Sequence, residues 1–172
     1  MASLMENLID ILEKENEEYT ILTQISKEKT PVIIKGDLDK LNEVTEREQV
    51  IVARIQNLEK KRITVMKDIA EVTNRKGEDL KLPELIHMME NRPKERDALT
   101  RIHDRLKTTL GGIKLINEQN RELIQNSLDM VEFEMNMIQS LRRAPETADY
   151  NKGAYSVGNT MGSGTKRFDS KS

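Results

Sequence analysis

Cysteine and tryptophan are both absent from this sequence. Without cysteine there are no disulfides and no thiolate metal sites, and the redox compartment is left undetermined. Aromatic residues make up only 3% of the chain while charged residues make up 34%. The apolar material is therefore almost entirely Leu, Ile, Val and Met, which suits long amphipathic helices better than a thick globular core. No apolar run is long enough to span a membrane, and Met1 to Asn7 lack the basic region and apolar stretch of a signal peptide. The cytoplasm is the expected location. Neither sign of charge dominates: 28 Lys and Arg stand against 30 Asp and Glu, interspersed along the chain for a formal charge of -2. That balance argues against nucleic acid or an anionic membrane as partner. The 172 residues fit one domain, and at this size a single core buries roughly 70% of the surface of the unfolded chain.

Catalytic and metal-binding patterns are equally scarce. His87 and His103 are the only imidazoles, and their spacing does not aim two ligands at one metal. They read as ordinary helix histidines. Gly162-Ser163-Gly164-Thr165-Lys166 contains the residue types of a phosphate loop but not their order, and it neither follows a strand nor opens a helix. The carboxylates form no pair marked out for acid and base roles. The basic run Lys60-Lys61-Arg62 follows Glu59 on one helical turn and reads as a solvated face. The sequence thus predicts a protein that is not an enzyme, with no cofactor, no metal and no small-molecule substrate.

What is present is helical periodicity. Leu4, Leu8, Ile11, Leu12, Tyr19, Leu22 and Ile25 recur at three- and four-residue steps, with Ser3 as N-cap and Glu6 completing a capping box. Pro31 predicts a kink near Thr30 or a stop before Gly36. Gly36 then takes the left-handed position that closes the helix, and Asp37 caps the next one. The second helix carries Leu38, Leu41, Val44, Ile51, Ile55, Leu58, Val65, Ile69 and Val72, ends between Asn74 and Gly77, and runs roughly 50 Å. A short helix from Pro83 to Glu90 comes next, ended by Pro93. The last and longest helix begins near Lys94, with Gly111 and Gly112 inside it as the expected bend. The expected fold is all-α: an elongated antiparallel helical bundle or coiled coil of three long helices with a short connecting helix, over residues 1–144. Residues 145–172 are expected to form a flexible Gly/Ser-rich tail, which holds half of the eight glycines. It also carries three of the five aromatic residues, Tyr150, Tyr155 and Phe168.

The end of the last helix stands out. Ile124, Leu128, Val131, Met135 and Ile138 share one face, which the core is expected to take. Leu123, Met130, Phe133, Met137 and Leu141 form a second apolar stripe on nearly the opposite face. Either the helix is sandwiched or that face awaits a partner. Met130, Met135 and Met137 lie here, and thioether side chains adapt to partner helices of different shape.

In order along the chain, the turn Gly36-Asp37-Leu38, then Leu41, Thr45 and Glu48, then Leu58, Glu59 and Arg62, and finally Leu115, Asn117, Asn120, Leu123 and Leu128 resemble the FlgN family of flagellar chaperones. The resemblance covers roughly residues 4–142, and the ending Phe168-Asp169-Ser170-Lys171 is similar to that of Gram-positive members. Pro31 and the Gly111-Gly112 pair depart from the family pattern. The resemblance implies a cytoplasmic chaperone of the hook-associated junction proteins FlgK and FlgL, holding their terminal segments and delivering them to the export gate for type III export. The family's substrate-binding region is the end of the last helix and the segment after it. On this sequence that means Leu123, Leu128, Met130, Phe133, Met137 and Leu141, with Tyr150, Tyr155 and Phe168 as candidate placeholders when no client is bound. An amphipathic client helix would lie in this groove. Two rival readings are a self-associating structural coiled coil, in which the second stripe mates with its own copy in a homodimer, and an adaptor of another secretion system.

Overall fold

Local sequence sets most helix boundaries in the computed structural model, which describes residues 2–75 and 79–142. The described residues form four helices: α1 (Ala2–Lys35), α2 (Leu38–Val72), α3 (Leu82–Met88) and α4 (Pro93–Arg142). No strand occurs among the described residues. Helix α1 opens at Ala2, which puts Ser3 inside its first turn and not ahead of it as a cap. It continues through Pro31 to Lys35. Pro31 is exposed, so only the missing N–H and the crowding of the Lys27 carbonyl burden that turn.

The α1–α2 turn is set by two residues. Gly36 adopts φ +68°, a conformation that a Cβ would strain. Its N–H donates to the Ile33 carbonyl at 3.1 Å, and that of Asp37 to Val32 at 3.4 Å, closing the last turn of α1. The Asp37 carboxylate then accepts from the Lys40 N–H at 3.1 Å and caps α2. At its far end α2 stops at Val72, with Asn74 in the left-handed region at φ 59°. Asn tolerates that geometry better than most residues.

Helix α3 starts one residue before the expected Pro83 and ends at Met88. Pro93 does not end it; it is the first residue of α4. A proline at that position lacks only an N–H that would have no partner within the helix. Gly111 and Gly112 lie in continuous helix, and a Cβ at either would meet nothing within 4 Å.

The described residues fall into two units, divided between Gln125 and Asn126. In the first, ion pairs between α1 and α2 join Glu15 to Arg62, Glu18 to Arg54 and Lys29 to Glu48. One index rises as the other falls, so these helices run antiparallel. Between α1 and α4, Asn16 meets Thr109 and Thr30 meets Asn120. Both indices rise together, so these two run parallel. The apolar interior of this unit is in two parts. Met5, Leu8, Ile11 and Leu12 of α1 meet Val65 and Ile69 of α2, Leu85 of α3, Met89, and Leu99, Ile102 and Leu106 of α4. A second cluster, Ile25, Val44, Ile51 and Ile55, comes from α1 and α2 alone.

Three substitutions test this account by denaturant unfolding. Leu99→Ala, at a fully buried position, should cost about 2–5 kcal/mol. Gly36→Ala should cost about 1 kcal/mol through its positive φ. Gly111→Ala, in an open helical site, should stabilise by up to about 1 kcal/mol.

Candidate functional site

From Leu128 onward α4 exposes every large apolar side chain it carries. Leu128, Met130, Val131, Phe133, Met135, Met137, Ile138 and Leu141 range from 51% to 69% exposed. The sequence expects one of these stripes, Leu128, Val131, Met135 and Ile138, to enter the core; all four are exposed instead. Leu123 and Ile124, within the first unit, are half-buried. Of the residues expected to bind a partner, Leu128, Met130, Phe133, Met137 and Leu141 therefore stand on one exposed segment, and Leu123 precedes it. Tyr150, Tyr155 and Phe168 lie outside the described residues, as does the tail that holds them.

No set of side chains suited to a metal occurs among the described residues. His87 is exposed beside Glu90 at 3.1 Å, and His103 lies 3.5 Å from Asp104. No described helix is long and apolar enough to cross a membrane. Lys60 and Lys61 are exposed, whereas Arg62 turns toward α1.

Polar side chains connect α4 to α1 in the first unit. Asn120 is only 4% exposed; its Nδ2 donates to the Ser26 carbonyl at 2.9 Å, and its Oδ1 accepts from the Thr30 hydroxyl at 2.6 Å. One helical turn holds Ser26, Thr30 and the carbonyl crowded by Pro31. Further toward the start of α1, Asn16 meets the Thr109 hydroxyl at 2.9 Å, while that hydroxyl also lies 2.9 Å from the Arg105 carbonyl. One hydroxyl proton cannot serve both acceptors. Turning the Asn16 amide over satisfies both, its Nδ2 donating to Thr109 Oγ1 while the hydroxyl donates to Arg105. Asn120 is among the residues that carry the family resemblance, but these contacts escape sequence reasoning because the partners are more than 90 positions away in two of the three cases.

Glu15 is buried beside Arg62, 3.3 Å from its Nε, and Glu59 lies 3.6 Å from the same guanidinium. The Glu15–Arg62 approach is an ion pair without hydrogen-bond alignment, since neither Glu15 Oε1 nor Arg62 Nε has a hydrogen-bond partner. Burial raises the Glu15 carboxyl above the ordinary carboxylate range; Arg62 opposes the shift and Glu59 adds to it. A folded-state value above the unfolded one means that ionised Glu15 weighs against folding at neutral pH, and that its contribution improves as pH falls through the folded value. Glu15→Gln should therefore flatten the gain in melting temperature as pH falls from neutral toward the ordinary glutamate value of about 4.3. Asn120→Ala, which removes a donor to the Ser26 carbonyl and leaves the Thr30 hydroxyl only its 3.4 Å contact with that carbonyl, should cost about 1 kcal/mol in denaturant unfolding.

Comparison with known proteins places this surface in context. Searches of curated proteins and of solved structures give no match. The family model described as FlgN protein matches residues 1–155. With the greater part of its length matched, the chain belongs to the FlgN family of flagellar export chaperones.

Proposed function

We propose that this chain binds the terminal helical segments of the hook-filament junction proteins FlgK and FlgL in the cytoplasm, keeps them from assembling early, and delivers them to the type III export gate. The observation that carries this reading is the unbroken series of exposed apolar side chains from Leu128 to Leu141 on α4. A junction protein that assembles through apolar helical faces must hide those faces until it is exported, and an exposed apolar helix offers them a temporary partner. The methionines Met130, Met135 and Met137 suit a surface that accepts two different clients.

In this reading α1, α2 and α4 form an elongated up-down-up bundle within residues 1–144. The role of that bundle is to hold the client-binding end of α4 as helix before the client arrives, which lowers the ordering cost of binding. Residues 145–172, with Tyr150, Tyr155 and Phe168, come directly after this surface and can cover it when no client is bound. Release at the gate requires that the covered area stay modest.

Titration of the full chain with purified FlgK and FlgL, beside a Phe133→Asp/Met137→Asp variant whose helicity is verified by circular dichroism, tests the reading. Placing two carboxylates on the docking face should lower affinity by about 100-fold. Equal binding by both forms would move the site elsewhere. Failure of the unmodified chain to bind either junction protein, together with mass that grows with concentration, would favour the self-associating coiled coil.

A further inference from the structure

The segment Asn126–Arg142 carries its exposed apolar side chains in two rows. With successive residues about 100° apart, Leu128, Val131, Met135 and Ile138 make one row, and Met130, Phe133, Met137 and Leu141 the other, with centres about 135° apart around the helix. All eight side chains are more than half exposed. The wide arc between the rows holds Asp129, Glu132, Asn136, Gln139 and Ser140, and the narrow arc holds Ser127 and Glu134. A single client helix in a single groove would leave one row bare.

Interhelical spacing fixes what can cover both. Helices pack with axes 8–10 Å apart, so two helices lying on these rows sit about 17 Å from each other and do not touch. A helical hairpin already packed against itself therefore cannot occupy both rows. We propose that the end of α4 is the central helix of a three-helix layer, and that one partner chain wraps around it, laying a separate amphipathic helix on each row. This rests on the chaperone reading above and specifies its client: a segment disordered on its own that folds as it docks. Its two helices need a connection that crosses about 17 Å, or about five extended residues.

Charge narrows the partner further. Between Asn126 and Arg142 the ionisable side chains are Asp129, Glu132, Glu134 and, at the last position only, Arg142. Glu134 stands between the rows and Glu132 borders the first, so helices that settle on α4 should carry Lys or Arg along their flanks. The same charges oppose a second copy of this chain. Parallel pairing through the first row would set Glu132 of one copy beside Glu134 of the other, and a helix with two self-pairing rows would keep adding chains without closing.

The test uses the full chain with purified FlgK as probe, and compares Val131→Asp/Ile138→Asp with Phe133→Asp/Met137→Asp. All four positions are exposed, so the fold should persist, checked by circular dichroism. We expect a one-to-one complex whose affinity falls about tenfold or more in each double variant, falls with added salt, and falls in Glu134→Lys. Because the chain has no native cysteine, Val131→Cys and Phe133→Cys report each row separately, and both thiols should lose reactivity in the complex. Loss of affinity confined to one double variant would overturn the two-row arrangement and leave the chaperone reading standing. Unchanged affinity in both would overturn the proposed surface altogether, and failure of the unmodified chain to bind FlgK and, in a parallel titration, FlgL would remove the chaperone reading with it. Protection of the Val131→Cys thiol in the free chain, lost on removing residues 143–172, would overturn it in favour of the chain's own tail. Concentration-dependent mass that Val131→Asp/Ile138→Asp abolishes would overturn it in favour of a second copy.

Discussion

The position of α4 depends on the apolar cluster that takes Leu99, Ile102 and Leu106 from it and surrounds them with residues of α1, α2 and α3. Each such side chain contributes about 1.5–3 kcal/mol when fully buried, far more than any polar contact along the helix. The short helix α3 and the residue that caps it belong to this arrangement, because Leu85 and Met89 are members of the cluster. Among the described residues the second core cluster has members from α1 and α2 only, and further along α4 the buried apolar side chain is Ile113.

Beyond Leu106, hydrogen bonds to α1 join the buried Ile113 in holding α4. A neutral hydrogen bond contributes about 1 kcal/mol net, so Asn16 with Thr109 and Asn120 with Ser26 and Thr30 add little strength. Their effect is on alignment. Rows of Leu and Ile tolerate a slip of one turn at modest cost, whereas a buried Asn that loses its partners does not. Asn120 therefore fixes the level at which α4 passes α1. Glu15 illustrates the opposite case, a buried carboxylate whose partner Arg62 is near but poorly aligned, so that burial dominates its ionisation. A buried ion pair of this kind is weak support for stability.

The segment Asn126–Arg142 needs another explanation for its helicity, since none of its large apolar residues is buried. Leu, Met, Glu, Gln and Arg are strong helix formers, and neither Gly nor Pro interrupts them here. Propensity together with continuation from a helix already nucleated is enough, because elongation is far easier than initiation. The carboxylates spaced among the apolar residues also oppose indiscriminate association of the exposed surface. Membership in a family of export chaperones fits a helix built in this way.

Helix existence and the chemistry of the α1–α2 turn were legible in the residues themselves, because periodicity, Gly36 and Asp37 act over a few positions. Pro93 was not, since proline both terminates and begins helices, and only the path of the chain selects between the two. The two apolar rows near the end of α4 were also readable, and so were the residue types of the candidate surface. Whether anything covered the first row was not: periodicity shows that a face is apolar and carries no information about where neighbouring helices end. The contacts of Asn120, Asn16 and the Glu15–Arg62 pair were not legible for a related reason, although Asn120 and Arg62 are among the residues that carry the family resemblance: each contact takes its meaning from a residue on another helix. The sequence by itself determined four helices, their approximate limits and the absence of catalytic chemistry patterns. Only the tertiary structure decided which apolar faces are buried and which are left exposed, because burial depends on the relative placement of whole helices, set by contacts between residues far apart in the chain.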